Sequence, residues 1–153
     1  MIRTDIHDLF VHDARVIVND KGSVHEVWSA DLAAGLGLAC GQTHLTFTKP
    51  GVTRAWFRHQ LQSDSFLVVQ GRALVAVFDD RPLSPSFNRL VTLEVDERVP
   101  LQVVFGAKLW HGFRNIGAGD LLVAHVNDRA FKHAAPDEEK LPITDPRFPP
   151  CWA

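Results

Sequence analysis

The stretch TRAWFRHQ, residues 53–60, carries a guanidinium, Arg54, and an imidazole, His59, on one short apolar run. An imidazole titrates near neutral pH, so it can take a proton from a weakly acidic carbon and give it back. A guanidinium fork suits phosphate or carboxylate oxygens. Along an extended strand side chains alternate, which puts Phe57 on the face of His59 and, in QTHLTFT, puts Gln42, His44 and Thr46 on a common face. A third imidazole, His111, lies in LWHGFRN. Three histidines on three strands facing one hollow allow two kinds of chemistry. One is acid/base work by His59 and His111. The other is a divalent metal ion held by His44, His59, Asp64 and His111, a donor set that suits zinc, nickel, iron or manganese without selecting among them.

The elements that must position these groups read as strands. ARVIVND, VHEVW, THLTFT, TRAWFRHQ, SFLVVQ, ALVAVFDD, RLVTLEV, LQVVF and DLLVAHV are short apolar or alternating runs. NDKG, KPG, QGR, RPLSPS and GAGD separate them as turns, and SADLAAGLG is the one convincing helical stretch. The expectation is a single all-β domain over residues 1–153, a sandwich or small antiparallel barrel whose open mouth takes one ligand. From about Asp128 the chain turns rich in proline and charge and is expected to be an irregular tail, residues 128–153, docking Phe148 and Trp152.

Composition narrows the function. With 153 residues, 46% hydrophobic and 22% charged, the chain is an ordinary globular domain. A net charge of -2 gives no surplus for a polyanionic backbone, so nucleic acid is not an expected partner. No apolar run approaches the roughly 18 to 20 residues of a membrane-spanning helix, and the N-terminus lacks a secretory pattern, so the expectation is a soluble cytoplasmic protein without a membrane partner. Cys40 and Cys151 lack metal or disulfide spacing and read as free thiols. His7, His12, His25, His125 and His133 have no convergent partners and read as surface or packing residues. Asp79 and Asp80 precede a turn and read as structural, with Arg81 in the same turn or a subunit contact; Trp28, Trp56 and Trp110 read as core or interface aromatics.

Five motifs in order resemble the dTDP-4-dehydrorhamnose 3,5-epimerase family of cupin-fold sugar-nucleotide enzymes. VAVFDDRPLSPSF, residues 75–87, is similar to the family's DVAVDxRxxSPTFG; KGSVHEVW to RGxFxExY; QTHLTFTKPGVTRAWF to QxNxSxSxxxVLRGLH; LWHGFRN to GFAHGF; and LPITDPRFPPCW to the family's ending. The resemblance implies a cupin or jelly-roll β-barrel, no cofactor, a nucleotide-sugar or related small anionic ligand, and a homodimer. It also implies proton transfer beside a ketone by a histidine base and a tyrosine acid. Here the base position holds Phe57, the tyrosine position falls on Ala124, and the chain has no tyrosine.

What the resemblance leaves is a ligand site. Arg54 and Lys21 match phosphate-binding arginines, Gln42 matches a substrate-contacting glutamine, His44 stands at an asparagine, and Phe57 remains in the pocket. The implied function is a divergent epimerase-like protein that binds, isomerises or epimerises a nucleotide-linked keto-deoxyhexose, with His59 or His111 moving any proton. Two alternatives stand beside it: a noncatalytic sugar-pathway binding protein, and a metal-dependent cupin enzyme built on the histidine cluster. Many cupins use an HxH, a following acid and a distant histidine, and Phe57-x-His59, Asp64 and His111 keep that spacing without its first ligand.

Overall fold

Apolar alternation and frequent turn residues leave this chain little choice but to stack strands, and the computed structural model, which describes residues 2–36 and 38–152, does so. In chain order the strands are β1 (Ile2–Arg3), β2 (Leu9–Asp13), β3 (Val16–Asn19), β4 (Gly22–His25), β5 (Gln42–Thr48), β6 (Thr53–His59), β7 (Asp64–Gln70), β8 (Arg72–Asp79), β9 (Arg89–Asp96), β10 (Leu101–Phe105), β11 (Trp110–Asn115), β12 (Leu121–Asn127) and β13 (Glu138–Lys140). The expected helix forms as α1, Ala30–Leu36, with the Ser29 hydroxyl accepting from the Leu32 amide at its start. Gly37, at the end of the expected helical stretch, lies outside the described residues.

Two sheets face one another in a jelly-roll sandwich. One has the order β1-β2-β10-β7-β12-β5 and the other β13-β6-β11-β8-β9, while β3 and β4 form a separate hairpin. The expected closure into a barrel is not found among the described residues: β5 ends one sheet as its edge, β6 lies in the other between β13 and β11, and no ladder joins the two. A side chain bridges that gap in place of a ladder. Arg54 on β6 donates from Nε to Thr48 Oγ1 at 2.8 Å and from Nη2 to the Phe47 carbonyl at 3.1 Å.

Alternation grades the space between the sheets from apolar to polar. Inward positions run Val68, Phe66, Asp64 along β7 and Leu121, Val123, His125, Asn127 along β12. The apolar end is filled by Val68, Val75, Val103, Phe105, Leu121 and Val123. The polar end stays open as a cavity. Burying the apolar end is what holds the two sheets together, at about 25 cal/mol per Å² of apolar surface.

The tail is not the irregular appendage expected from its prolines. Glu138–Lys140 adds an edge strand to β6, pairing Glu138 with His59 and Lys140 with Phe57. No proline falls in those three residues, so the ladder hydrogen bonds are available. Beyond it, Phe148 and Trp152 dock as expected, with Phe148 stacked on buried Trp56 at 4.3 Å between centroids. Trp56, Phe78, Trp110 and Phe148 form a second apolar cluster.

Candidate active site

The open end of the sandwich is a cavity of about 470 Å³, and its lining includes Gln42, His44, Arg54, Phe57, His59, Asp64 and His111. The expected residues therefore meet in one place, with one exception. Lys21 sits exposed at the turn of the β3–β4 hairpin, its amide held by Asn19 Oδ1 at 2.9 Å, and is not among the cavity residues. Among the described residues β3 and β4 pair only with each other, and no strand ladder ties their turn to the sandwich.

Arg54 and Phe57 are three residues apart, which strict alternation would place on opposite faces. They share the cavity because β6 carries an extra residue against β11: Phe57 pairs with His111 and Arg54 with Phe113. Gly112 faces that irregularity, and a Cβ on it would come within 2.8 Å of the Arg54 carbonyl oxygen. The glycine of LWHGFRN is thus a packing requirement of the bulge.

Three side chains converge at the cavity floor. His59 from β6 and His111 from β11 each bring Nε2 to the same oxygen, Asp64 Oδ2 on β7, at 3.3 and 3.4 Å. The far nitrogen of each ring is already taken. His59 Nδ1 donates to the Asp137 carbonyl at 2.7 Å and His111 Nδ1 to the Leu109 carbonyl at 3.1 Å. The other oxygen, Asp64 Oδ1, accepts from Gln62 Nε2 at 2.7 Å, and the His111 ring is stacked on Phe105 at 4.5 Å. With Nδ1 protonated, each neutral ring turns a lone pair toward the carboxylate, so the arrangement calls for added protons or a cation between the three groups.

The electrostatics follow from this geometry. Burial alone would push the His59 pKa down, but the hydrogen bond and charge of Asp64, with the Asp137 carbonyl, leave it raised above the usual histidine value. Burial would likewise push Asp64 up; hydrogen bonds and charge from His111 and His59 hold it well below the usual carboxylate range. His59 is therefore a stronger base than a free imidazole, beside a carboxylate that stays ionised.

For metal binding, His59, Asp64 and His111 offer donor atoms that all lie within 4.8 Å of one another. His44, the fourth member of the expected set, is not part of that group; it stacks on His125 at 4.4 Å. Gln42 is also partly committed, since its side-chain oxygen accepts from the Phe131 amide at 2.7 Å and so fixes where the tail leaves β12.

Sequence reasoning missed three contributors. His125 lines the cavity, whereas Ala124 does not, so the inward position on β12 is the histidine. Strict counting from Asn127 along DLLVAHVN would have found it. Asp137 caps the β6–β7 loop by accepting from the amides of Leu61 and Gln62 at 2.8 and 3.0 Å while its carbonyl orients His59. Lys140 lines the cavity with its ammonium 5.4 Å from the Phe57 ring centre and 2.7 Å from Glu138. No local signal in the tail announced the last two.

Known proteins share this sequence pattern and this fold. The family model described as dTDP-4-dehydrorhamnose 3,5-epimerase matches residues 3–152. The probable low-salt glycan biosynthesis epimerase Agl13 of Haloferax volcanii is 33% identical, over 97% of this chain and 95% of its own. Among solved structures, a dTDP sugar isomerase from Desulfovibrio desulfuricans G20 superposes with a TM-score of 0.91 at 24% identity, covering 99% of this chain and 95% of that one. The enzyme RmlC from Legionella pneumophila Philadelphia 1, a dTDP-6-deoxy-D-glucose-3,5-epimerase in complex with dTDP-4-keto-L-rhamnose, gives 0.84 at 21% identity over 95% of this chain and 79% of its own.

Proposed function

The chain belongs to the dTDP-4-dehydrorhamnose 3,5-epimerase family, and from that premise we propose that it binds a nucleotide-linked keto-deoxyhexose between its sheets and moves a proton on the carbon beside the ketone. The observation that carries this reading is the convergence of His59 and His111 on Asp64 Oδ2 at the floor of the cavity. Because Nδ1 of both rings is tied to a backbone carbonyl, Nε2 is the working nitrogen. In the step, the carbon–hydrogen bond breaks, the proton goes to Nε2, and the electron pair moves toward the ketone oxygen to give the enolate. Asp64 stabilises the imidazolium, and the proton returns from the same or a second group. Phe57, without a proton to move, packs against the sugar. Arg54 and the amide of Gln42 bind the diphosphate and the neighbouring hydroxyls.

A second reading has its own observation, the His59, Asp64 and His111 donors within 4.8 Å, which would let a divalent ion act as a Lewis acid on the ketone. One experiment separates the readings: NMR of deuterium uptake at carbon in several dTDP-4-keto sugars, with chelator-treated and untreated protein. Exchange by the metal-free protein is the expected result. Exchange that vanishes on chelation and returns with zinc, manganese or iron moves the chemistry to a metal, and sugars that bind but never exchange leave a noncatalytic binding protein.

The working unit in this proposal is a homodimer, supported by the open edge strand β5 with Leu45 58% and Phe47 63% exposed. The cytoplasm is its compartment, in keeping with free Cys40 and Cys151, and glycan biosynthesis its setting, as for the haloarchaeal relative. No helix of the described residues is long and apolar enough to cross a membrane.

A further inference from the structure

The wall opposite His59 and His111 holds a group that the reading above leaves unused. His125 on β12 lies with its ring 4.4 Å from that of His44 on β5 and 5° from parallel, and both rings line the cavity. The rings of Phe66 and Phe113 stand 6.1 and 6.2 Å away. Nε2 of His125 is buried and has no hydrogen-bond partner among the described residues. A buried polar atom left unpaired costs about 1–3 kcal/mol, and folded proteins keep few of them without a partner supplied from elsewhere. Burial first, and then the charge of His44, hold this imidazole neutral by pushing its pKa down to about 3. A neutral imidazole in such a wall donates a hydrogen bond without giving up its proton, which is what a developing enolate oxygen needs.

We propose that His125 is a catalytic residue that hydrogen-bonds the ketone oxygen of the bound sugar and stabilises the enolate formed when His59 or His111 removes the carbon-bound proton. This rests on the proton-transfer reading above. No electron or atom is gained from outside. The carbon–hydrogen pair becomes the enolate pair, the proton resides on the imidazole of the opposite wall, and the His125 N–H stays bonded to nitrogen throughout. His44 is the positioning residue, since its stacked ring fixes the plane of His125.

The test compares His125→Phe and His125→Gln with the unaltered protein. Phenylalanine keeps a planar ring against His44 and removes the donor; glutamine returns an N–H. Expected is a fall in the deuterium exchange rate of about 10²–10³-fold for H125F, with dTDP affinity unchanged within about 2-fold, and recovery of about 10-fold or more in H125Q relative to H125F. H125F exchanging at the original rate overturns the proposal. So does a loss of exchange matched by an equal loss of dTDP affinity, or a glutamine variant no better than phenylalanine. A second measurement needs neither variant nor turnover: the 15N resonances of His125 are expected to shift when the keto sugar binds and not when dTDP alone binds. Unshifted resonances overturn the role of His125. Absence of exchange by the unaltered protein, with those resonances shifted, counts against the proton-transfer reading and supports the contact.

Discussion

Two buried aspartates, Asp64 and Asp79, sit in the same sandwich and meet opposite fates. Asp79, 0% exposed at the end of β8, is surrounded by fixed donors: the Arg81 amide, Nε and Nη2 at 3.1, 2.7 and 2.7 Å, and the hydroxyls of Ser84 and Ser86 at 2.5 and 2.6 Å. Arg81 then reaches on to Asp8 Oδ2 at 2.7 Å and the His7 carbonyl at 2.9 Å, stapling the β8–β9 loop to the segment before β2. Asp64, 7% exposed, has instead two titratable rings and an amide, and it faces a cavity. Burial would raise both carboxyls, and in both the partners win and lower them. The difference lies in the partners. A guanidinium never gives up its proton, so Asp79 is a structural pin; imidazoles exchange theirs near neutral pH, so Asp64 can serve chemistry. The strongest stretch of family resemblance, VAVFDDRPLSPSF, is thus the pin and not the site.

The contrast breaks most visibly on substitution. Asp79→Ala leaves Arg81 half-buried without its main partner and is expected to cost about 3–5 kcal/mol in a denaturant titration. Asp64→Asn keeps the volume and an acceptor for Gln62 but loses the charge that pairs with the two rings, so its cost should be smaller, about 1–2 kcal/mol. Its deuterium exchange rate should fall about 100-fold, as His59 loses the charge that makes it a strong base. If D64N unfolds as readily as D79A, Asp64 is a second pin and the functional reading fails with it.

A pH titration of stability sharpens the same comparison. His59, with its pKa raised, contributes stability that is fully present below about 6.5 and is lost as pH rises through its folded value. Asp64 and Asp79, with theirs lowered, contribute stability present above about 3.8 and lost only in stronger acid. His125 faces His44, Asp64, His111 and Arg54 from the strands around it, and its value near 3 means that stability drains away as pH falls below about 6.5. Of these four, only His125 acts between pH 6.5 and 5. The protein should lose about 2 kcal/mol over that interval, and H125F should lose little. A drop that survives H125F would place the buried neutral group elsewhere.

How much of this was legible in the sequence depended on whether a signal was local. Strand runs from β3 to β10 and β12 were visible because alternation is local, and the shared faces of Gln42 with His44 and Phe57 with His59 followed from it. His125 reads in the sequence as a packing residue without a convergent partner, because the ring it stacks on, His44, faces it only across the β12–β5 ladder. The bulge that turns Arg54 inward depends on what β11 places opposite it, and β13 depends on a free edge of β6; neither partner is encoded near the residues concerned. Motif alignment carries no distance: it matches Lys21 to a phosphate-binding position and does not say where the hairpin turn stands relative to the cavity.

The smallest expected effect bears on that last point. Arg54 spends Nε and Nη2 on Thr48 and Phe47 of β5, which leaves Nη1 without a partner among the described residues at the cavity wall. Arg54→Lys keeps a positive charge but cannot hold β5 and a phosphate together, so dTDP should bind about 10-fold more weakly by calorimetry, roughly 1.4 kcal/mol. Lys21→Ala, at an exposed hairpin turn, should change that affinity less than 2-fold. Equal losses in the two variants would mean that the hairpin reaches a cavity after all; since among the described residues β3 and β4 have no strand partner beyond each other, that cavity would belong to a second copy, and mixing R54K with K21A protein would then restore about one intact site per mixed dimer.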